Sequence, residues 1–365
     1  MPRIREFRYT RWALAAIHAV IEDRPEIVAV DTETTGVGFY DEPFAATLTW
    51  RAPTGELRSW YFDLEEPENR DVRIMLLRDI LHDTPKWVMH NSKFDLQKLR
   101  LVGAVDDEML ERVELHDTQT MYVLLDENGR KGLKHLAATV LKVDDTIEVE
   151  VKSGPNKGMK KRVPKEAHQL AAVRRKLKLK KEDGYHLLPR EVLIPYALKD
   201  TEFTLRLYEE LFPRLEALGD SRVLELYREF MELKLVLLDM EADGFKLDMD
   251  YLSEVTSEYG VKVIEGWDKI VDLTDWHDLN PQSPPQLLKA FAKRGLKLSS
   301  TAEAALREID DDLATALLQY RSDKKIHTTY LTALLHEQRD GIVHPQFNDD
   351  AARTGRMSSS AASNN

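Results

Sequence analysis

The chain has 365 residues and no cysteine, and its net charge is −12 at pH 7. The lack of cysteine excludes disulfides and thiolate zinc sites, and the acidic balance argues against a uniformly basic nucleic-acid-binding surface. This length predicts two or three domains, and a hydrophobic content of 42% predicts folded domains. No segment is apolar over the roughly 18 residues of a membrane span. The N-terminus lacks a signal-peptide pattern, so we expect a cytoplasmic protein without a membrane partner.

In the first half of the chain, strand patterns alternate with helix patterns. Residues 12–22 have helical spacing, residues 27–30 form an apolar strand, and 44–50 and 57–64 flank a Pro-Thr-Gly turn typical of an antiparallel hairpin. The elements predicted after the hairpin are helices at 72–82, 92–102, 118–125 and 133–141 and short strands at 87–90 and 113–116. This order predicts a mixed α/β sheet flanked by helices.

Residues 144–184 interrupt the alternation. Residues 147–151 alternate like an edge strand, 153–158 form a turn, and a basic stretch follows over 160–181. Its clustered cations are Arg174, Arg175, Lys176, Lys178, Lys180 and Lys181. Two interpretations remain open: the cluster contacts phosphate groups, or it belongs to a solvated insertion without a partner.

The rest of the chain has helical periodicity. The predicted helices are 193–218, 222–242, 251–273, 286–293 and 311–337, and the pattern is lost over 341–365. A domain boundary near residue 212, just before Pro213, separates the α/β part from the helical part.

Several carboxylates follow the predicted strands or lie on one helix face. Asp31 and Glu33 are two residues apart after the first strand and point to the same side, where a divalent cation would relieve their repulsion. Asp95 begins the helix after the strand 87–90, and Tyr196 shares a helix face with Asp200. Asp117 is a further candidate. Taken singly, these residues are also typical of a polar turn, helix caps and a packing tyrosine.

Together, Asp31, Glu33, Asp95, Tyr196 and Asp200 resemble the three motifs of the DEDD exonuclease superfamily, tyrosine subclass. The histidine subclass places its base five residues before the last Asp, where this chain has Pro195. Further segments resemble family A DNA polymerases of phages and bacteria. They are Thr118, Leu125 and Lys131-Gly132-Leu133, Met240-Glu241-Ala242-Asp243-Gly244-Phe245, residues 280–287, Tyr320-Arg321 with Lys324-Lys325, and Thr354-Gly355-Arg356-Met357-Ser358-Ser359.

The resemblance runs from residue 27 to the C-terminus, outside 144–184, and implies three regions. These are an α/β ribonuclease H-like 3′-5′ exonuclease domain over 1–212, a mostly α-helical thumb-like domain over 213–340, and the start of a palm over 341–365. The implied reaction is 3′→5′ hydrolysis of DNA ends with two divalent ions, Mg²⁺ or Mn²⁺. Asp31, Glu33 and Asp200 would hold one ion. Asp31 would bridge to the second, Asp95 would support that ion through water, and Tyr196 would orient the attacking water.

The resemblance also implies DNA contacts. Thr34 and Asn91 would contact the terminal nucleotide of a single-stranded 3′ end. The positions that match duplex-binding residues of the family are Ser283, Gln286, Arg321, Lys324, Lys325 and Arg356.

Because family members continue into a palm and fingers, we expect these 365 residues not to polymerise DNA by themselves. An alternative is a DNA-binding half of a split polymerase that needs a palm-and-fingers partner chain. A free-standing trimming exonuclease like ribonuclease D is a third interpretation, but it would have no use for the thumb and Thr-Gly-Arg motifs.

Overall fold

The computed structural model describes residues 3–144, 146–150, 158–180, 183–349 and 354–361. The chain forms two compact units, one made of Met1–Asp243 with Pro345–Asn365 and the other of Gly244–His344. Among the described residues, no helix combines the length and the apolar character that a membrane span requires.

The first unit is built on a five-stranded sheet. Its strands are β1 (Ile27–Thr34), β2 (Pro43–Arg51), β3 (Leu57–Asp63), β4 (Lys86–Met89) and β5 (Glu114–Asp117), in the spatial order β3-β2-β1-β4-β5. The first three strands are antiparallel neighbours, whereas β4 and β5 run parallel to β1. Gly55, at φ 87°, completes the β2–β3 hairpin turn. The predicted hairpin and mixed sheet are confirmed.

Nine helices of the described residues belong to this unit. They are α1 (Arg3–Asp23), α2 (Arg70–Asp83), α3 (Ser92–Leu101), α4 (Asp107–Arg112), α5 (Thr118–Leu125), α6 (Leu133–Thr139), α7 (Lys165–Lys176), α8 (Arg190–Ala217) and α9 (Ser221–Asp243). The sequence does not predict α4 and α7. Helix α4 spans only six residues, and α7 lies within the basic stretch and has charged residues at both of its ends, so that the apolar periodicity of each is short.

A separate two-stranded ribbon precedes α7. It pairs β6 (Thr146–Glu150) with β7 (Lys160–Pro164), apart from the five-stranded sheet. The predicted edge strand is therefore a ribbon strand, because its partner is the basic stretch that follows it rather than the main sheet. Residues 153–157 of the turn predicted over 153–158, and Lys181, lie outside the described residues.

Strand β1 is covered on both faces, as its continuous apolar run predicts. Val28 and Val30 belong to the large core that includes α1, α2 and α3. Ala29 packs on the opposite face with Val88 and Leu205, and Leu205 belongs to α8. Because side chains alternate along a strand, Asp31 and Glu33 continue the face of Ala29.

The second unit is mostly helical, which confirms the predicted helical region. Its elements are the ribbon of β8 (Phe245–Lys246) and β9 (Ile342–Val343), and the helices α10 (Met249–Thr274), α11 (Pro284–Lys293), α12 (Glu303–Arg307), α13 (Asp312–Lys325) and α14 (Thr332–Glu337). The helix predicted over 311–337 contains a π-helical segment, Ile326–Leu331, between α13 and α14. Its buried core includes Ile270, Leu287, Phe291 and Leu317.

The compact units do not divide at residue 212. Pro213 lies inside α8, and α9 packs against α3 and α5 of the first unit. Of the predicted palm start, the residues from Pro345 onward belong to the first unit, where they form β10 (Pro345–Asn348) and β11 (Ser358–Ala361). Lys93 of α3 links this segment to α9, since its ammonium group binds the Glu241 carboxylate and donates to the Phe347 carbonyl at 2.7 Å. The exonuclease, thumb and palm assignments themselves stay predictions.

Candidate metal centre

Three carboxylates meet at the end of β1. Asp31, Glu33 and Asp200 each offer a ligand oxygen, and these oxygens lie within 4.8 Å of one another. Within the described ranges, this is the one group of three or more potential metal ligands with that spacing. The strand supplies two members and helix α8 supplies the third, so the cluster depends on how α8 crosses the sheet.

Polar contacts fix α8 against β2 and β3. The hydroxyl groups of Thr49 and Thr201 are 2.8 Å apart, and Arg51 makes two bonds of 2.7 and 2.6 Å to Glu209. At the start of the helix, Arg190 donates to Asp63 at 2.8 Å. These contacts lie on both sides of Asp200 along the helix, and they therefore determine its position opposite β1.

Asp95 lies next to the cluster and is tied to the strand. One of its carboxylate oxygens accepts hydrogen bonds from the backbone N–H of Thr32, at 2.9 Å, and from the Thr32 hydroxyl, at 2.6 Å. Asp95 is buried in the first turn of α3. The Thr32 side chain points to the face of β1 opposite Asp31 and Glu33. One face of the strand therefore carries two of the clustered carboxylates, and the other face binds Asp95.

The pKa values of these carboxylates reflect their crowding. Burial raises the pKa of Asp31 well above its ordinary value, and the charges of Asp95, Asp200 and Glu33 raise it further. Burial, followed by the charge of Asp200, raises the pKa of Glu33 to about 8. Burial also raises the pKa of Asp95 to about 7, against the lowering effect of the Thr32 hydrogen bonds. A bound cation would reverse these shifts, because it favours the ionised carboxylates.

Lys134 provides positive charge at the cluster. Its ammonium group binds an oxygen of Asp200 and lies 4.5 Å from the centroid of the Tyr196 ring. No role for this lysine is predicted from the sequence, although it follows directly on the family-like segment Lys131-Gly132-Leu133. A single lysine on a short helix carries no periodic signal, and its role becomes visible only when α6 and α8 are placed together.

Tyr196 lies one helical turn before Asp200 and is half-buried. Burial and the charges of Asp200 and Glu33 raise the pKa of its hydroxyl well above the ordinary value. The hydroxyl is therefore protonated at neutral pH, and it can donate and accept hydrogen bonds but does not act as a strong base.

Asp117, the further carboxylate candidate, has a structural role. It accepts hydrogen bonds from the backbone N–H groups of Ser92, at 2.7 Å, and Gln119, at 2.8 Å, and it lies 3.4 Å from the Lys234 ammonium. Burial alone would raise its pKa, but Lys234 and the hydrogen bonds lower it to about 2. Asn91 is at the N-cap position of α3 but makes no side-chain capping bond, and the Asp117 carboxylate accepts from the first backbone N–H groups of that helix instead.

The predicted DNA-contacting residues are divided between the two units. In the first unit, the Thr34 hydroxyl donates to the Gly36 carbonyl at 2.6 Å, and Asn91 and Arg356 are exposed. In the second unit, Ser283 is at the N-cap of α11, and Lys325 is exposed.

Other predicted contacts of the second unit bind within it. Gln286 accepts from the Asn280 N–H at 2.6 Å, Arg321 donates to the Thr301 carbonyl at 2.6 Å, and Lys324 lies 3.2 Å from the Tyr320 hydroxyl. The DNA-binding roles stay predictions.

Comparison with known families assigns both halves of the chain. The family described as 3′-5′ exonuclease, of family A DNA polymerases, matches residues 10–216, and the DNA polymerase family A matches residues 249–363. The first match covers more than half of the chain and includes all the carboxylates of the site. The chain belongs to the 3′-5′ exonuclease family of the family A DNA polymerases.

Similar proteins of this family come from bacteria and phages. DNA polymerase I of Pseudomonas aeruginosa is 29% identical over 367 residues, which cover 93% of this chain and 36% of that protein. The DNA polymerase of Escherichia phage T5 is 29% identical over 80% of this chain and 35% of its own length. DNA polymerase DpoZ of Salmonella phage PMBT28 is 26% identical over 93% of this chain and 53% of its own length. The chain thus spans about a third to a half of these relatives.

A solved structure shows the same fold. It is described as the POL domain of Pol1 from M. smegmatis in complex with DNA primer-template and dNTP, and it aligns with a TM-score of 0.63 at 20% identity. The alignment covers 95% of this chain and 53% of the other.

Proposed function

We propose that this chain removes nucleotides from the 3′ ends of DNA by metal-dependent hydrolysis, as a proofreading exonuclease of a family A polymerase. The observation that carries the proposal is the group of Asp31, Glu33 and Asp200 oxygens within 4.8 Å, at the strand end where the sequence motifs place it. The match to the 3′-5′ exonuclease family supports the reaction class.

The donor set fits divalent ions with oxygen ligands. Asp31, Glu33 and Asp200 would hold one Mg²⁺ or Mn²⁺, and Asp31 with Asp95 would support a second. When bound, such ions stabilise charge on the attacking and leaving oxygens of an in-line displacement. A bound cation would lower the raised pKa of Glu33, about 8, because it favours the ionised carboxylate.

The residues of the chain would then orient the reactants. Tyr196 holds the attacking water through its protonated hydroxyl, and the water oxygen bonds to the terminal phosphorus while a proton passes to solvent. The bond from phosphorus to the 3′ oxygen of the preceding nucleotide breaks, and that oxygen takes up a proton. The products are a 5′-mononucleotide and a strand shorter by one nucleotide.

Residues 249–363 would supply primer-template binding, because they match the DNA polymerase family A. In this proposal, duplex phosphates or the minor groove are contacted without selecting sequence by Ser283, Gln286, Arg321, Lys324 and Lys325 of the second unit and by Arg356 of the first. Location in the cytoplasm and the need for a palm and fingers to polymerise are further parts of the proposal.

The first test is shortening of a 5′-labelled DNA primer with a frayed 3′ end. We expect stepwise shortening with Mg²⁺, none with EDTA, and a loss of roughly a hundredfold or more in Asp31→Ala, which removes a direct metal ligand. Asp79→Asn, an exposed carboxylate change on α2, is the matched control and should keep full activity. In EDTA, the melting temperature of Asp31→Ala should equal or exceed that of the wild type, because one of several repelling carboxylates is gone.

Full activity in Asp31→Ala would contradict the site. No shortening by the wild type, with primer-template binding retained, would instead favour the DNA-binding half of a split polymerase. Added dNTPs in the same reaction test for polymerisation, and primer extension would contradict that part of the proposal.

A further inference from the structure

A short helical turn, Tyr185–Leu187, follows the basic stretch in the chain, and Gly184 stands at the start of that turn. A Cβ atom on Gly184 would lie 2.8 Å from the carbonyl oxygen of Thr35, two residues after Glu33. The turn therefore packs closely against the end of the strand that carries the metal ligands.

Tyr185 extends from this turn onto Tyr196. The two rings are nearly parallel, with an interplanar angle of 9° and centroids 6.1 Å apart. Tyr185 is 39% exposed, whereas burial of Tyr196 is sufficient to raise the pKa of its hydroxyl. Tyr185 thus stacks on the Tyr196 ring, and it belongs to a segment outside the exonuclease motifs.

Arg174 of helix α7 holds Tyr185 in turn. Its guanidinium carbon lies 5.7 Å from the centroid of the Tyr185 ring, and the same group donates to the Asp183 carbonyl at 2.8 Å. On the other side of the site, the Lys134 ammonium lies 4.5 Å from the Tyr196 ring. Two stacked aromatic rings, each with a cation against it, therefore connect helix α7 to the carboxylates, in the order Arg174, Tyr185, Tyr196 and Lys134.

We propose that Tyr185 is a positioning residue for Tyr196, and that Arg174 stabilises it in this role. The inference rests on the proposed exonuclease function. The Tyr196 hydroxyl must reach a water molecule at the cluster, and rotation of its ring would move that hydroxyl away. An aromatic neighbour restricts this rotation, and aromatic pairs and cation–π contacts have energies sufficient for that effect. Arg174, within the insertion at 144–184, then contributes to the chemistry through Tyr185.

Kinetics on a single-stranded DNA oligonucleotide test the inference. Tyr185→Ala should lower kcat by roughly 3- to 10-fold, the range expected from aromatic-pair energies, and should change KM less than about twofold. Tyr185→Phe keeps the ring and should restore kcat. Leu187→Ala, which shortens another exposed side chain of the same turn, is the matched control and should match the wild type.

A double-mutant cycle separates positioning from other effects. Tyr196→Phe keeps the ring but removes the hydroxyl, so Tyr185→Ala should cost no further kcat in that background. The proposal would be overturned by an equal loss of kcat in both backgrounds, by a change in KM alone, or by a loss of kcat of the same size in Leu187→Ala.

A second pair of variants covers the case in which Tyr185→Ala fails to fold. Arg174→Gln keeps both tyrosine rings and should lower kcat less than Tyr185→Ala does. Arg112→Gln is its control, because this exposed arginine of α4 lies outside the basic cluster and pairs with Glu108 of its own helix at 3.9 Å. Equal kcat in Arg174→Gln and wild type would contradict the stabilising role of Arg174.

A spectroscopic measurement is independent of activity. With 3-fluorotyrosine at position 196, the ¹⁹F resonance should shift or broaden in Tyr185→Ala and stay unchanged in Leu187→Ala. An inactive wild type with this shift would contradict the exonuclease proposal but not the contact. An active wild type without the shift would overturn the contact alone.

Discussion

At the scale of single residues, buried aspartates in this chain differ by their partners. The charge of Asp117 is compensated by Lys234 and by backbone N–H groups, and its pKa falls to about 2. Asp31 faces other carboxylates, and its pKa rises. Thus a buried carboxylate that is satisfied by caps and a lysine stabilises the fold, whereas a crowded set of carboxylates creates a site for cations.

Lys134 compensates the charge of Asp200 in the same region. We predict that Lys134→Gln binds Mn²⁺ several-fold more tightly, because the cation that competes for Asp200 is removed. Isothermal titration calorimetry with Mn²⁺ measures this. Lys176→Gln, an exposed change at the end of α7, is the control and should leave the affinity unchanged. Weaker Mn²⁺ binding in Lys134→Gln would mean that the lysine assists the metal site instead of competing with it.

At the scale of elements, α8 connects the sheet to the site. This helix carries Tyr196 and Asp200, and it also carries the residues that form hydrogen bonds with β2 and β3. Among them is Thr201, whose hydroxyl lies 2.8 Å from that of Thr49 in a buried position. The residue next to Asp200 thus anchors the helix, and the position of the third ligand is linked to the stability of the sheet.

We predict that Thr201→Val destabilises the chain by about 1–3 kcal/mol, because a buried hydroxyl of β2 loses a partner. Urea unfolding monitored by circular dichroism gives this value. Thr139→Val is the control, since its exposed hydroxyl bonds the His135 carbonyl of its own helix, and it should cost less than about 0.5 kcal/mol. Equal stability of the two variants would argue against the role of this contact.

At the scale of the whole molecule, the first unit is closed by its C-terminal segment. Lys234 of α9 is buried and lies 2.9 Å from Asp349 and 3.4 Å from Asp117. These two ion pairs connect strand β5, helix α9 and the segment that follows the second unit, which are far apart in sequence.

We predict that Lys234→Met destabilises the first unit by roughly 3–5 kcal/mol at pH 7, because two buried carboxylates lose their cation. The folded pKa of Asp117 is about 2, below the ordinary 3.8, so its ionisation stabilises the fold above pH 3.8 and this stabilisation is lost as pH falls toward 2. Urea unfolding at pH 7 and between pH 5 and 3 should therefore show a weaker acid dependence in the variant. Lys269→Met, an exposed change on α10, should leave both quantities unchanged.

Secondary structure and the faces that its side chains share follow from residues close together in the sequence. The apolar run before Asp31, the two-residue spacing to Glu33 and the four-residue spacing of Tyr196 and Asp200 define shared faces, because strand and helix periods are fixed by the backbone. The hairpin follows from its turn residues. These local patterns were sufficient for the mixed sheet, the helical second region and the family.

Contacts between residues far apart in the sequence are seen only in the tertiary structure. It paired Thr32 with Asp95, placed Lys134 on Asp200 and Tyr185 on Tyr196, and made Asp117 a structural residue. It also extended the first unit to Asp243 and returned the segment after residue 344 to it. Such contacts join segments with no common period, so their energy depends on packing and buried charge that no local spacing encodes.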